Sequence, residues 1–309
     1  TSGNVTTQNG AFTMPSGDVL ITGSFTPRTD TLYSVQFYQQ DTEGNSYTQI
    51  AADTISGKGT TDTPIKNTLD MSALALKYPG FHLSDTSQND STVIGGNGTS
   101  VLKLYYDRNT ANVNYSFAGK PPLANPTAPA IVSHRFGSTV SIAEIPTLAG
   151  YDFSGWSSAN LDISSGSFVM PDNDVIVMGT WIPHTGTPFT VESYQQNIED
   201  DGYAKLDADT FDGQGTTDTL MRDALDLSTL ESKYPGFHLS DRSKSDASTI
   251  DGSGTSVLKL YYDRNTPNVI YSFDGKIPLA NPSAQAATSH RYGSSVNVAE
   301  IPTLAGYDF

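Results

Sequence analysis

The stretch KYPGFHLSD occupies residues 77–85 and returns unchanged at 233–241. GTSVLKLYYDRNT does the same at 98–110 and 254–266, and AEIPTLAGYDF at 143–153 and 299–309. All three pairs share one offset, position 77 recurring at 233, so the period is 156 residues. The same offset carries Tyr38 onto Tyr194 and Met14 onto Met170, and the copies align without insertion. A period this long exceeds the roughly 20–50 residues of a solenoid unit, so each period is expected to hold more than one domain.

Two halves can be read in each period. Half A covers residues 29–110 and again 185–266. It opens with YSVQFYQQ (33–40) and closes with SVLKLYYD (100–107), both alternating apolar and polar residues as half-buried strands do. Asn97-Gly98 and Ser253-Gly254 are hairpin-turn signals just before the closing strand. Between the strands lies DTPIKNTLDMSALALKYPG (62–80), with Thr63 as N-cap, Pro64 at the first helical position and Tyr78-Pro79-Gly80 as stop. In the second copy Met221, Leu225 and Leu230 fall on one helical face. The expectation is one helix, broken near Asp70 and Asp226, packed on a mixed or antiparallel sheet.

Half B covers residues 111–184, with a C-terminal part alone at 1–28 and an N-terminal part alone at 267–309. NVNYSF (112–117), HRFGSTVSI (134–142) and DVIVMGTW (174–181) alternate as strands, and the prolines of GKPPLANPTAPA (119–130) argue for a loop. Pro15-Ser16-Gly17 and Pro171-Asp172-Asn173 mark a tight turn into the last strand. B reads as essentially all-β, and the chain as a whole as α+β, mostly β, an elongated array of small modules of which one type carries a helix on its sheet.

Composition narrows the function. The 309 residues carry a formal charge of −16, which opposes binding to nucleic acid or to an anionic membrane, since both need clustered Lys and Arg. Cysteine is absent, removing disulfides, thiolate metal sites and thiol nucleophiles. No apolar run reaches membrane-spanning length, so no membrane insertion is expected, and any export signal or wall anchor is expected outside this stretch.

The chemistry-bearing residues read as structural. HLSD at 82–85 and 238–241 brings His, Ser and Asp together, but no G-x-S-x-G elbow surrounds Ser84 or Ser240, so the polar tail is expected to face solvent and no catalytic residue is assigned. His134 and His290 have no second ligand at metal spacing, and are expected at the surface. The acidic runs at 198–202 and 172–174 are replaced by TEGN and SGD in the other copies, so solvated turns are expected rather than a metal; no cofactor is expected. Lys103 and Lys259, flanked by leucines in an alternating strand, should point outward and be unable to form an isopeptide bond. Trp156 and Trp181 read as B core. Tyr105, Tyr106, Tyr261 and Tyr262 are the candidate ligand-binding residues, because one of each adjacent pair must face outward. Asp107 with Arg108, and Asp263 with Arg264, stand at the A-to-B boundary and are expected to make a junction contact.

GYDFSGWSS (150–158) followed by SFVMPDNDVIVMGTW (167–181) resembles the Listeria-Bacteroides repeat, the internalin B-repeat type. YSVQFYQQ through SVLKLYYDRNT is similar to the mucin-binding-protein-like modules of Gram-positive surface proteins. Together the two resemblances cover nearly the whole chain. They imply ubiquitin-like β-grasp modules in the repeat region of a secreted, cell-wall-anchored adhesin, which binds host mucin glycans or extracellular-matrix protein or acts as a stalk. An accessory repeat region of a large secreted glycan-active enzyme is the alternative. The first B piece reads GSFTPR where the complete copy has GTWIPH, and the last stops before Gly-Trp. The two pieces are expected to complete each other end to end between molecules, since a sheet lacking a strand exposes its edge.

Overall fold

A computed structural model describes residue 5, residues 8–275 and residues 278–309. Parts of the two expected B pieces, at residues 1–4, 6, 7, 276 and 277, lie outside the described residues. The chain is mostly β, with several small sheets and a few short helices. Among the described residues no helix is long and apolar enough to cross a membrane.

The first A copy contains β1 (Thr31–Gln40), β2 (Tyr47–Gln49), β3 (Ile55–Gly59), α1 (Met71–Ala75), β4 (Phe81–Leu83), α2 (Asp85–Asn89) and β5 (Ser100–Arg108). Its sheet runs β2-β1-β5-β4, and β3 pairs with the opening half of β1. The central pair, β1 with β5, is parallel, and every other pairing is antiparallel. Parallel neighbours need a crossover, and the segment with both helices supplies it. Alternation decides the buried face: Tyr33, Val35 and Phe37 of β1 and Leu102, Leu104 and Tyr106 of β5 point into one core, closed by Ile65, Leu83 and Ile94.

The expected single helix is replaced by two pieces. Residues 65–68 make a 3-10 turn, Leu69 is extended, and α1 starts only after Asp70. The break expected at Asp70 is present, but Thr63 caps nothing: its hydroxyl donates to the Thr60 carbonyl, and Pro64 is extended. Ile65 explains why. Its side chain is fully buried and its N–H is bonded to the Thr92 carbonyl, so this stretch is tied to the crossover before a helix can propagate. The Asp70 carboxylate then accepts from the amides of Ser72 and Ala73 and restarts the helix.

B contributes β6 (Thr110–Ala118), β7 (Val132–Arg135), β8 (Thr139–Ser141), β9 (Tyr151–Phe153), β10 (Ser167–Val169) and β11 (Val175–Pro183). Its main sheet runs β7-β6-β11-β9, with β8 and β10 as a separate antiparallel pair. Residues 134–142 are not one strand: Gly137, at φ +78°, turns the chain between β7 and β8. The second A copy repeats the first as β12 (Thr187–Gln196), β13 (Tyr203–Lys205), β14 (Phe211–Gly215), α3 (Leu227–Glu231), β15 (Phe237–Leu239), α4 (Asp241–Lys244) and β16 (Val257–Arg264). Two short strands, β17 (Asn268–Val269) and β18 (Thr288–Ser289), follow. By contact density the chain forms two compact units, residues 1–115, 129–143 and 157–177 in one and the remainder in the other.

Among the polar atoms at which the cores of the two A copies differ, one pair is directly comparable. The Tyr106 hydroxyl donates to the Leu74 carbonyl at 2.7 Å, whereas the equally buried Tyr262 hydroxyl has no partner. Tyr106→Phe is therefore expected to cost about 1 kcal/mol, and Tyr262→Phe nothing or a small gain. Amide-exchange protection of β5 and β16 reads the two sites separately.

Candidate functional site

Strand parity sorts the candidate tyrosines. Tyr106 and Tyr262 are fully buried and belong to the cores, so they are unavailable to any ligand. Tyr105 and Tyr261 lie on the outer face. The parallel register sets Tyr38 beside Tyr105, with the rings stacked at 5.0 Å, and Tyr47 of β2 meets Tyr105 edge-on at 5.1 Å. Tyr194, Tyr203 and Tyr261 repeat this at 5.2 and 4.9 Å, and there the Arg242 guanidinium lies 4.3 Å from the Tyr261 ring. The lysines are outward: Lys103 and Lys259 are exposed, their ammonium groups 5.9 and 5.8 Å from the rings of Tyr38 and Tyr194.

The Tyr47 hydroxyl donates to Asp107 Oδ1 at 2.5 Å, and Tyr203 donates to Asp263 at the same distance. The hydrogen bond to the carboxylate, aided by burial and the carboxylate charge, pushes each phenol up to about 12. A raised folded-state pKa gives stability that is complete below the unfolded value of about 10 and lost as pH climbs from 10 to 12. Asp107→Asn should bring Tyr47 back toward the ordinary range, measured by the NMR titration of its Cζ.

Arg108 makes the expected junction, but Asp107 does not, because it faces Tyr47 instead. The Arg108 N–H donates to Gln40 Oε1 at 3.0 Å, its Nε to the Gln40 carbonyl at 2.7 Å and its Nη1 to the Phe136 carbonyl of B at 2.8 Å. The guanidinium lies 4.8 Å from the Phe81 ring, which meets Phe136 edge-on at 5.9 Å. Gly80, at φ +80°, passes so close that a Cβ there would lie 2.3 Å from the Phe136 ring. Asn109 donates to Asp172 and the Asn112 N–H to Asp174, both at 2.7 Å, while Arg135 reaches the Gly44 carbonyl. The turn at 172–174 is thus engaged rather than merely solvated.

The second junction repeats the first. Arg264 donates from N–H and Nε to Gln196 at 3.0 and 2.7 Å and from Nη1 to the Tyr292 carbonyl at 2.8 Å, with Phe237 4.7 Å from its guanidinium. Arg291 donates to the carbonyls of Ile198 and Asp200 and pairs with Asp201, so the acidic loop at 198–202 holds an arginine. The B-to-A connection is equally close. The Tyr151 hydroxyl and the Leu123 N–H both donate to Asp218 Oδ2, at 2.5 and 2.7 Å, and Gly252 packs directly on the Ala149 carbonyl.

The His-Ser-Asp segment does not converge. His82 is exposed with Nδ1 2.8 Å from Asn109 Oδ1, Ser84 is buried and accepts from the Ser87 N–H, and Asp85 begins α2. The expectation that this tail faces solvent is corrected at Ser84. Beyond the three-residue β4, the edge of β5 still needs partners, and Ser87 Oγ accepts from the Tyr105 N–H at 2.6 Å while the Ser84 N–H donates to the Tyr105 carbonyl. His238, Ser240 and Asp241 repeat the arrangement. His134 is half-buried opposite Ala111, and His290 contacts Thr288. Trp181 is buried; Trp156, half-buried, stacks on Phe117 at 5.8 Å. Among the described residues no group of three or more His, Cys, Asp or Glu side chains could hold a metal ion.

No curated protein matches the chain. Among solved structures, Mub-RV shares 12% identity over 50% of this chain and 100% of its own, with a TM-score of 0.18. The streptococcal SHIRT domains 3-4 from a cell surface protein share 15% over 50% and 98%, with a TM-score of 0.19. The Bacillus anthracis TIE protein shares 8% over 77% and 51%, with a TM-score of 0.28. Scores of this size carry no argument about fold or function. The match with a family model is narrower and sharper: residues 132–185, including β7 to β11, are similar to the divergent InlB B-repeat domain.

Proposed function

We propose that the chain is a repeat region of a secreted, cell-wall-anchored bacterial adhesin, and that it works as a stalk. The observation that carries this reading is the duplicated A-to-B junction at Arg108 and Arg264, built from the same hydrogen bonds, the same cation–aromatic contact and the same glycine. A ligand site needs one good constellation; a spacer needs the same stiff joint at every repeat. Stiffness matters because a rigid and a flexible chain of equal length present a distal head at very different heights. The family match at 132–185 supports the surface-repeat class. The mucin-binding-protein-like identity of A, and a β-grasp fold for it, are proposals supported by the parallel central pair and the crossover carrying helices. The proposed role is non-enzymatic, a reading supported by the structural contacts that His82, Ser84 and Asp85 each make.

A second reading rests on the outer tyrosines. Tyr38, Tyr47 and Tyr105, with Tyr194, Tyr203 and Tyr261, give two copies of an aromatic face, and weak contacts to host mucin glycans or matrix protein would add by avidity. Titration of the chain with mucin glycans separates the readings. The stalk reading expects no saturable binding; glycan-competed binding that is lost in Tyr38→Ala with Tyr194→Ala would make these faces adhesive. A catalytic domain in the flanking sequence of the parent protein would instead make the region an enzyme accessory.

A further inference from the structure

The backbone enters each A copy at the start of its first strand and leaves at the end of its last. In the first copy these strands are β1 and β5, and residues 33–39 pair in parallel with 100–106. In the second they are β12 and β16, and residues 190–195 pair in parallel with 257–262. Parallel pairing puts entry and exit at opposite ends of the ladder. A pull along the chain therefore slides one strand past the other and loads their hydrogen bonds together, instead of opening them one at a time as in a hairpin peeled from its end. This strand pair carries the tension in each A copy, and the side chains that bridge it set how much it holds.

Those side chains differ between the copies. Phe37 of β1 is 1% exposed, with the rings of Tyr106 on β5 and of Tyr78 each 6.4 Å away. Its equivalent is Ser193, 0% exposed beside Leu260. A short hydroxyl side chain thus stands where a ring bridges the two strands in the first copy. The second core receives a ring from elsewhere: Phe211 replaces Ile55, packs against the core and lies 5.7 Å from the Lys233 ammonium, as Phe37 lies 5.1 Å from that of Lys77. Phe211 stands on β14, however, which pairs with β12 and not with β16, so it fills space without bridging the loaded pair. The tyrosine hydroxyls work in the same direction. Tyr106 ties β5 to α1 through the Leu74 carbonyl, whereas the buried Tyr262 hydroxyl of β16 has no partner among the described residues. The contacts that the second copy gains, Lys205 with Glu192 and Arg242 over Tyr261, lie on the outer face, where such pairs contribute little.

We propose that the second A copy is a yielding element: under tension residues 185–266 unfold before residues 29–110, lengthening the chain while the first copy still holds. Forced unfolding follows the unfolding rate, and the contacts missing from the second copy are those that hold its loaded strands together. The surface-anchored role proposed above decides whether the chain meets tension in the cell. The order of yielding is a property of the two cores and is measured apart from the stiffness of the Arg108 joint, so either conclusion can fail alone.

Single-molecule stretching of the 309-residue chain, held at its two ends, is expected to show two A events at different forces. Ser193→Phe combined with Phe211→Ile gives the second copy the residues of the first, and should raise the weaker event toward the stronger while leaving the stronger in place. Phe37→Ser combined with Ile55→Phe should bring the stronger event down to the weaker. Native-state amide exchange distinguishes the copies directly, and should be on the order of tenfold faster in β12 and β16 than in β1 and β5. Equal exchange in the two copies, a weaker event unmoved by Ser193→Phe with Phe211→Ile, or a weaker event that moves with Phe37→Ser instead would each overturn the proposal.

Discussion

Trp181→Ala is expected to lower the stability of its B core by about 3–5 kcal/mol, the range for deleting a buried large aromatic side chain. Trp181 contacts Phe117, Tyr151 and Phe153 at once, so its loss leaves a void between three rings. Trp181→Phe should cost far less, about 1 kcal/mol, for two reasons. The indole Nε1 is buried without an acceptor, so removing it abandons no hydrogen bond, and the aligned position 25 already carries Phe. Urea unfolding followed by amide exchange in β9 and β11 measures both.

The second large effect belongs to the junction. Arg108→Ala removes two side-chain bonds to carbonyls, from a charged donor in each case, and uncovers the Phe81 ring; about 3 kcal/mol of local stability is expected to go with them. Arg108→Lys should rescue little, because a single ammonium cannot reach the Gln40 and Phe136 carbonyls together in the planar geometry a guanidinium offers. Gly80→Ala attacks the same joint from the other side, since its Cβ would collide with Phe136 and φ at +80° is strained for alanine. Amide-exchange protection at residues 108 and 136–138 should fall in all three variants while the interior of the A sheet stays protected.

What could be read from the residues follows the physics of period and spacing. The 156-residue repeat, the buried parity of β1 and β5, the outward lysines and the engagement of Arg108 all depend on local pattern. The missing pieces depend on register and closure. Nothing in YSVQFYQQ announces that β1 will lie parallel to β5 with Tyr38 beside Tyr105, or that β2 will fold back to bring Tyr47 against the same ring. The single expected helix failed because Ile65 has a partner 27 residues away, the Thr92 carbonyl, which no helical period records. The polar neighbours of Ser84 point to solvent, yet it and Ser87 satisfy the Tyr105 peptide where β4 runs out. Asp107 looked like half of a boundary pair, and strand alternation turned it to Tyr47 instead.

The stalk account stands on whether the A-to-B joint is stiff in solution, and the cysteine-free sequence allows one measurement to decide it. Spin labels on Ser56→Cys in A and Thr139→Cys in B, both exposed and in the same compact unit, report the distance across the Arg108 junction by double electron–electron resonance. The account predicts one narrow distance distribution that broadens when Arg108→Ala is added. A distribution already as broad with Arg108 intact would contradict it.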